Sequence, residues 1–130
     1  MTNIENNKKR VLIVDDDENL RMVLTDKLTF SGFEVMGAVD GEDGLKKTLE
    51  LHPDIILLDV TMPKMGGLEM LGELRKDDWG KNAKVIMLTS LEDVGHVAEA
   101  MEKRSFLYLV KSQLNLDDVV KQVNNTLGIK

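Results

Sequence analysis

Short apolar runs recur along the chain, and four of them stop at a polar residue. Runs of four or five residues rich in Val, Ile and Leu are typical of strands that are buried on both faces, as in a parallel sheet. The four runs and the polar residues after them are Val11–Val14 before Asp15 and Asp16, Ile55–Leu58 before Asp59, Val85–Leu88 before Thr89, and Phe106–Val110 before Lys111. In open α/β sheets, ligands bind outside the carboxyl ends of the strands. The pattern therefore predicts a site with three carboxylates, a hydroxyl and an ammonium at one edge of a sheet.

Segments with the period of an amphipathic helix separate these runs. Their apolar residues recur mainly at spacings of three and four, which places them on one face of a helix. The clearest stripes are Leu20, Val23, Leu24 and Leu28; Val94, Val97, Ala98 and Met101; and Leu116, Val119, Val120, Val123 and Leu127. Shorter helices are predicted around Leu45 and Leu71, and Asp17, Ser90 and Asn115 are predicted to cap helix starts.

The alternation of the two patterns predicts the fold class. Strands are expected to start near residues 11, 33, 55, 85 and 106, each followed by a helix. Such alternation builds a parallel sheet with helices on both faces and right-handed crossovers. Phe33 and Val35 alternate with polar neighbours, which indicates an edge strand. We therefore expect an α/β fold, a flavodoxin-like (βα)5 doubly wound parallel five-stranded sheet in the order 2-1-3-4-5.

Composition and charge exclude several classes of protein. The 130 residues include no cysteine, so thiolate metal sites, disulfides and cysteine nucleophiles are ruled out. A formal net charge of −6 argues against direct nucleic-acid binding, which needs clustered Lys and Arg. No apolar stretch approaches the roughly 18 residues of a membrane span. Residues 1–9 are polar and lack the apolar core of a signal peptide. We expect a flexible leader at 1–9, one domain at 10–130 and a cytoplasmic location.

The predicted strand order gives the polar residues a specific chemistry. Strands one and three are neighbours, so Asp15, Asp16 and Asp59 should meet. Unit charges about 4 Å apart repel by roughly 4 kcal/mol at an effective dielectric near 20, and a divalent cation relieves that repulsion. A few hard oxygen ligands favour Mg²⁺ with several retained waters over a fully caged Ca²⁺. With Lys111 and Thr89 alongside, the pocket suits an anion forming on a carboxylate, and the natural candidate is a phosphoryl group.

From about Arg10 to Leu127, the chain resembles the receiver domain of two-component response regulators. The features that carry the resemblance are Asp15-Asp16, the segment from Asp59 to Gly67, Met87–Ser90 and Tyr108–Lys111. The resemblance implies that Asp59 is the phosphoacceptor. It would take a phosphoryl group from a phosphohistidine on a partner kinase, or from a small-molecule donor, in a Mg²⁺-dependent reaction.

The same resemblance implies roles for the surrounding residues. Asp16 would bind Mg²⁺ directly and Asp15 through water, with Asp59 and the backbone carbonyl of Thr61 as further ligands. The Thr89 hydroxyl would hydrogen-bond the phosphoryl oxygens, and the Lys111 ammonium would pair with them. Tyr108 would be an aromatic switch residue that turns inward when Thr89 moves.

The resemblance also implies what the protein meets in the cell. It would be a phosphoacceptor that assists its own phosphoryl transfer and dephosphorylation, and not an enzyme. The expected partners are a sensor histidine kinase or phosphotransfer protein and an unidentified downstream protein. We expect a monomer or a weak phosphorylation-dependent dimer that contacts neither nucleic acid nor membrane. Because no output domain is seen after the last helix, the signal is expected to pass by protein contact, as in single-domain chemotaxis or phosphorelay receivers.

Two alternative functions fit part of the pattern. A haloacid-dehalogenase-like phosphotransferase would use Asp15 as its nucleophile, but Glu18 and Asn19 stand where a small-residue turn is expected. The acidic residues near the chain end also lie inside the predicted last helix. The second alternative is a phosphorylation-independent interaction module, although every residue expected for phosphorylation is present. The covalent phosphate separates the first alternative from a receiver, because it would form on Asp15 in one case and on Asp59 in the other.

Two positions carry separate expectations. Receivers usually have a proline after the lysine, where this chain has Ser112. A cis peptide before a non-proline residue costs roughly 2.5–4 kcal/mol, so the Lys111–Ser112 bond is predicted to be trans. Trp79 is predicted to pack at a helix end near the edge of the sheet opposite the acidic residues.

Overall fold

The computed structural model describes residues 8–104 and 107–129, and within them strands and helices alternate along the chain. Most of the expected leader, residues 1–7, lies outside the described residues, as does position 106, the first residue of the predicted fifth strand. The strands are β1 (Arg10–Val14), β2 (Glu34–Ala38), β3 (Ile55–Asp59), β4 (Val85–Thr89) and β5 (Leu107–Val110). The helices are α1 (Glu18–Phe30), α2 (Gly41–Leu51), α3 (Gly67–Leu74), α4 (Val94–Arg104) and α5 (Leu116–Leu127).

The five strands form one parallel sheet in the order β2-β1-β3-β4-β5. This is the predicted 2-1-3-4-5 order, and β2 is an edge strand as its alternating pattern indicated. The three central strands are almost completely buried, because each has helices on both sides. The predicted fold class is therefore confirmed.

Alternate residues of the central strands pack into two separate hydrophobic cores, one on each face of the sheet. Val11, Ile13, Ile55 and Leu57 face α1 and α5, where they meet Leu24, Leu28, Val119 and Val123. Leu12, Val14, Ile56 and Leu58 face the other way, where the core continues into α3 and α4 through Met70, Leu71, Leu74 and Val97. Fully burying a Leu, Ile or Val side chain contributes about 1.5–3 kcal/mol. The helices are thus held on the sheet by the stripes that predicted them.

The helix starts carry the predicted caps. Asp17 accepts a hydrogen bond from the Leu20 amide, and Ser90 accepts one from the Asp93 amide. Asn115 caps α5 in the same way. No peptide bond in the described ranges is cis, so Lys111–Ser112 is trans as predicted. Among these residues, no helix combines the length and apolar character that crossing a bilayer requires.

Candidate functional site

The carboxyl ends of β1 and β3 lie side by side, and this brings the acidic residues together. The register pairs Val14 with Leu58, so Asp15 and Asp59 follow at equivalent positions on neighbouring strands. One carboxylate oxygen from each of Asp15, Asp16 and Asp59 lies within 4.8 Å of the others. Asp15 and Asp59 are buried, whereas Asp16 is exposed. The site is a buried acidic pair with a third carboxylate at its solvent side.

Lys111 supplies a cation to both buried carboxylates. Its Nζ lies 3.0 Å from Asp59 Oδ1 and 3.2 Å from Asp15 Oδ2. Lys111 directly follows β5, and β4 lies between β5 and β3, so the long side chain reaches past the end of β4. Its side chain is 28% exposed, which leaves the ammonium accessible from the solvent side of the pocket. The sequence prediction that this lysine reaches the acidic residues agrees with these distances.

The electrostatics of the pocket leave Asp59 difficult to ionise. Burial raises the pKa of Asp59 from 3.8 to about 6, and the negative charge of Asp15 adds to the rise, against the hydrogen bond and charge of Lys111. Burial lowers the pKa of Lys111, but its hydrogen bond to Asp59 and the charges of Asp15 and Asp59 raise it overall. One ammonium therefore does not offset the negative charge gathered here, and the pocket favours a further cation.

The donor set fits a small divalent cation. Three aspartates offer hard oxygen atoms within a few ångströms of one another, which is the ligand type that Mg²⁺ prefers. Within the described part of the chain, the buried Asp15 Oδ2 accepts no hydrogen bond and has only its ion pair with Lys111. Thr61, the remaining predicted ligand, lies in the loop after β3, and its backbone N–H donates to the Asp59 carboxylate. Asp15, Asp16 and Asp59 thus share one pocket, and the Thr61 backbone lies beside it.

The end of β4 adds a hydroxyl that is bonded away from the acidic residues. Leu88 pairs with Asp59 in the sheet, so Thr89 follows at the edge of the pocket, where it is fully buried. Its hydroxyl donates to the Ser90 carbonyl oxygen at 3.1 Å. The predicted hydrogen bond from Thr89 to a phosphoryl group would need this hydroxyl to turn from its present acceptor.

Asp93 ties the loop after β3 to the start of α4. The Thr61 hydroxyl donates to Asp93 Oδ2 at 3.1 Å, and the Ser90 hydroxyl donates to the same oxygen at 3.2 Å. Asp93 was not singled out from the sequence, and its contact with Thr61 was missed. A contact between residues 32 positions apart has no local sequence signal.

Tyr108, the predicted switch residue, lies in β5 opposite Met87 of β4. It is partly buried and packs against the core on the side of the sheet that α4 covers. Its position next to Thr89's strand and beneath α4 is compatible with the predicted role, which remains a prediction.

A second feature lies at the opposite edge of the sheet, where β3 and β4 begin. A cleft of about 460 Å³ is lined there by residues just before these strands, among them Asp54 and Lys84. The Trp79 ring stacks on His52 with centroids 4.1 Å apart and planes 7° from parallel. His52 ends α2 with a positive φ of 48°. The prediction that Trp79 packs near this edge is confirmed, although it lies five residues beyond the end of α3, and its partner was missed.

Comparison with solved structures places the fold among receivers. The receiver domain of Francisella response regulator 1452 superposes with a TM-score of 0.84 at 28% identity, covering 93% of this chain and 98% of that chain. The response regulator TrrA of Thermotoga maritima, solved in complex with Mg²⁺–BeF, superposes with a TM-score of 0.79 at 35% identity, covering 91% of this chain and 98% of that chain.

Relatives of similar sequence and a family model give the same result as the solved structures. The chemotaxis protein CheY of Thermotoga maritima is 41% identical over 104 residues, which are 79% of this chain and 85% of that protein. The probable transcriptional regulator ycf27 of Cyanophora paradoxa is 40% identical over 108 residues, which are 83% of this chain but only 44% of the relative's length. The family model described as response regulator receiver domain matches residues 11–124. The chain therefore belongs to the response regulator receiver domain family, the receivers of two-component signalling.

Proposed function

We propose that the protein accepts a phosphoryl group on Asp59 in a Mg²⁺-dependent reaction. The observation that carries the proposal is the Asp59 carboxylate itself, 3.0 Å from the Lys111 ammonium and grouped with Asp15 and Asp16. An Asp59 oxygen attacks the phosphorus of a phosphohistidine, so a P–O bond forms while the P–N bond breaks and the histidine leaves. The product is an acyl phosphate on Asp59.

The metal ligands that we propose are Asp16 directly, Asp15 through water, Asp59 and the Thr61 backbone carbonyl. Bound Mg²⁺ would neutralise the charge that accumulates on the transferred phosphoryl group. The Mg²⁺–BeF complex of the related TrrA supports this assignment, since its identity to this chain is 35%. The burial of Asp15 and its contact with Lys111 agree with an indirect role, whereas the exposed Asp16 is free to bind an ion directly.

The other site residues act on the phosphoryl group. Lys111, already between the two buried carboxylates, would move its ammonium onto a phosphoryl oxygen. Thr89 would exchange its hydrogen bond to the Ser90 carbonyl for one to another phosphoryl oxygen. The movement of Thr89 would vacate space beneath α4, and Tyr108 would turn inward to fill it. The surface around α4 and β5 would then differ between the two states, which gives a partner something to distinguish.

We propose a sensor histidine kinase or a phosphotransfer protein as the donor and a downstream protein as the target. In this proposal the protein is a phosphoacceptor and not an enzyme, it acts in the cytoplasm, and it is a monomer or a weak phosphorylation-dependent dimer. Residues 10–130 form the receiver and residues 1–9 a leader. The net charge of −6 supports signalling through protein contact without direct nucleic-acid binding. The chain spans under half of the ycf27 relative, so activities of that whole protein do not transfer to it.

The phosphorylated residue tests the proposal. Incubation with acetyl phosphate and Mg²⁺ should add one phosphoryl group, which mass spectrometry of the intact protein and of its peptides would place on Asp59. Asp59→Asn should abolish the addition, and chelating Mg²⁺ should suppress it. Asp78→Asn, at an exposed carboxylate near the opposite edge, is the control that should be phosphorylated normally. Full phosphorylation of Asp59→Asn would contradict the assignment.

The dehalogenase-like alternative is not favoured by the family match or by the geometry. Asp15 is fully buried, its Oδ1 accepts from the Asp17 amide at 2.9 Å, and its Oδ2 is paired with Lys111. Both oxygens are therefore engaged and shielded from a substrate. Phosphate found on the Asp15 peptide would reverse this conclusion, and failure of every donor to modify the protein would favour the phosphorylation-independent module.

The switch has a separate test. Beryllofluoride with Mg²⁺ imitates the phosphoryl group and should shift amide resonances at Tyr108 and along α4 as well as in the pocket. Thr89→Ala should still accept a phosphoryl group but lose the shifts at Tyr108 and α4, and Thr89→Ser should retain them. Shifts confined to the pocket in the unmodified sequence would show that Thr89 and Tyr108 do not act as a switch.

A further inference from the structure

Arg21 reaches from α1 to the backbone at the end of β1. Its Nη1 donates a hydrogen bond to the carbonyl oxygen of Asp15 at 2.7 Å. A guanidinium donor at this distance belongs to the stronger, charge-assisted class of hydrogen bonds. The residue is partly buried, and its position on α1 is fixed because the cap residue Asp17 and the buried Leu24 anchor that helix to the sheet. Arg21 is therefore a rigidly mounted contact to the strand that carries two proposed metal ligands.

This contact completes the fixation of Asp15. The Asp15 amide donates to Ala38 of β2 at 3.1 Å, Oδ1 accepts from the Asp17 amide, and Oδ2 pairs with Lys111. The Asp15 carbonyl held by Arg21 lies in the same planar peptide unit as the Asp16 N–H. Because that unit is rigid, the Asp16 side chain can change direction only by rotation about the bonds that follow it. The orientation of this peptide sets the direction in which the exposed Asp16 carboxylate leaves the chain.

Gly37 leaves room for the arginine. It lies within β2 opposite Ile13, where a glycine otherwise weakens a strand. A Cβ at this position would lie 3.2 Å from Arg21 Cδ, which is tighter than most Cβ contacts, and 3.5 Å from Nε, which is an ordinary contact. The stem of Arg21 thus lies across the backbone of Gly37, and the guanidinium continues from there to Asp15.

We propose that Arg21 is a positioning residue for the divalent cation site, acting through the Asp15–Asp16 peptide; this inference rests on the proposed Mg²⁺-dependent function. Removing Arg21 has two opposite effects on the affinity of the site for a cation. Loss of a nearby positive charge by itself tightens the binding of a cation. Loss of the hydrogen bond frees the peptide and weakens binding, because the Asp16 carboxylate is no longer held toward Asp59. If Arg21 is a positioning residue, its removal should weaken cation binding overall.

The test is a calorimetric Mg²⁺ titration of the unmodified full chain and of four variants. Arg21→Met should raise the Kd roughly tenfold, the lower end of the usual effect of an outer contact on metal affinity. Arg21→Lys should recover part of the loss, because an ammonium is still a donor. Gly37→Ala, which keeps the guanidinium but displaces its stem, should raise the Kd by a smaller factor. Lys47→Met is the charge control, since Lys47 contacts the Gly37 carbonyl at 2.8 Å and not Asp15.

The outcomes separate this inference from the proposed function. If the unmodified protein does not bind Mg²⁺, the proposed function fails. If it binds Mg²⁺ and Arg21→Met binds equally or more tightly, the positioning role is overturned while the metal site stands. An amide NMR spectrum of metal-free Arg21→Met supplies a second measurement: the positioning role predicts the largest shifts at Asp16 and its neighbours. Shifts spread over α1 with no excess at Asp16 would overturn it.

Discussion

Replacing Asp59 with Asn should stabilise the protein at neutral pH when no Mg²⁺ is present. Asp59 is only 4% exposed and shares Lys111 with the buried Asp15. Burial and the Asp15 charge raise its pKa to about 6, so the folded protein resists the ionised form that predominates at neutral pH. An asparagine of nearly the same shape carries no charge, and Lys111 keeps Asp15 as its partner. The substitution removes a buried charge that destabilises the folded state.

The size of the effect follows from the pKa. Folding raises the pKa of Asp59 from 3.8 to about 6. A pKa difference of one corresponds to about 1.36 kcal/mol in the free energy of ionisation. Ionising Asp59 in the folded state therefore costs about 3 kcal/mol at most, and this value already includes the favourable contact with Lys111. We expect Asp59→Asn to raise the free energy of unfolding by roughly 2 kcal/mol near pH 7.5.

The direction of the pKa shift determines how the contribution of Asp59 to stability changes with pH. The folded pKa of Asp59 is above its unfolded value, so between about pH 4 and pH 6 the folded state holds a proton that the unfolded state has lost. The Asp59-dependent part of the stability is therefore complete at low pH and is lost as pH rises through this window. The advantage of Asp59→Asn should be full above about pH 6 and absent below about pH 4. Comparing the two proteins cancels the titration of the carboxylates that do not interact with Asp59.

Urea unfolding with a chelator, followed across this pH range, measures the difference. Asp78→Asn is the matched control, and an exposed carboxylate far from the pocket should change the stability by less than about 0.5 kcal/mol. Adding Mg²⁺ should stabilise the unmodified protein more than Asp59→Asn and so narrow the gap. Equal stabilities near pH 7.5, or a gap that is independent of pH, would refute the argument from burial and charge.

Three other results are expected. Lys111→Met should lower the free energy of unfolding by about 2 kcal/mol in urea melts, because two buried carboxylates lose their cation, and an unchanged stability would contradict the ion-pair geometry. Asp16→Asn should weaken Mg²⁺ binding in calorimetric titrations more than Asp15→Asn, and the reverse order would assign the direct ligand to Asp15. Trp79 emission should change little on Mg²⁺ addition, because Trp79 stacks at the opposite edge of the sheet, and strong quenching would contradict that placement.

The fold was predictable because its determinants are local and periodic. Apolar runs marked the buried strands, and stripes at spacings of three and four marked the helices that cover them. The starts of β1 and β2 differ from the expected positions by one residue, because the first residue of an apolar run does not decide which backbone amide enters the hydrogen-bond ladder. The strand order itself came from choosing the flavodoxin-like arrangement, which sequence periodicity alone does not determine.

The candidate site was predictable for a different reason. Its residues stand directly after strands, and parallel strands present their carboxyl ends at one edge, so topology converts sequence position into proximity. Contacts that depend on side-chain reach were not predictable. Arg21 meets the Asp15 backbone across a helix–strand junction, Asp93 meets Thr61 between two loops, and His52 meets Trp79 at the far edge. None of these pairs follows from a period or a strand end.

Two glycines show how the loop after β3 holds its shape. A Cβ at Gly67, the first residue of α3, would overlap the backbone carbonyl of Asp59, and the Gly67 amide donates to Val60 at 2.8 Å. A Cβ at Gly41, the first residue of α2, would overlap the carbonyl of Met65 in the same loop. Both helices therefore begin in direct contact with the backbone of Asp59 or of the loop that follows it. A larger residue at Gly67 would displace the Asp59 peptide relative to Lys111, so this position without a side chain helps to maintain the 3.0 Å contact on which the proposed chemistry depends.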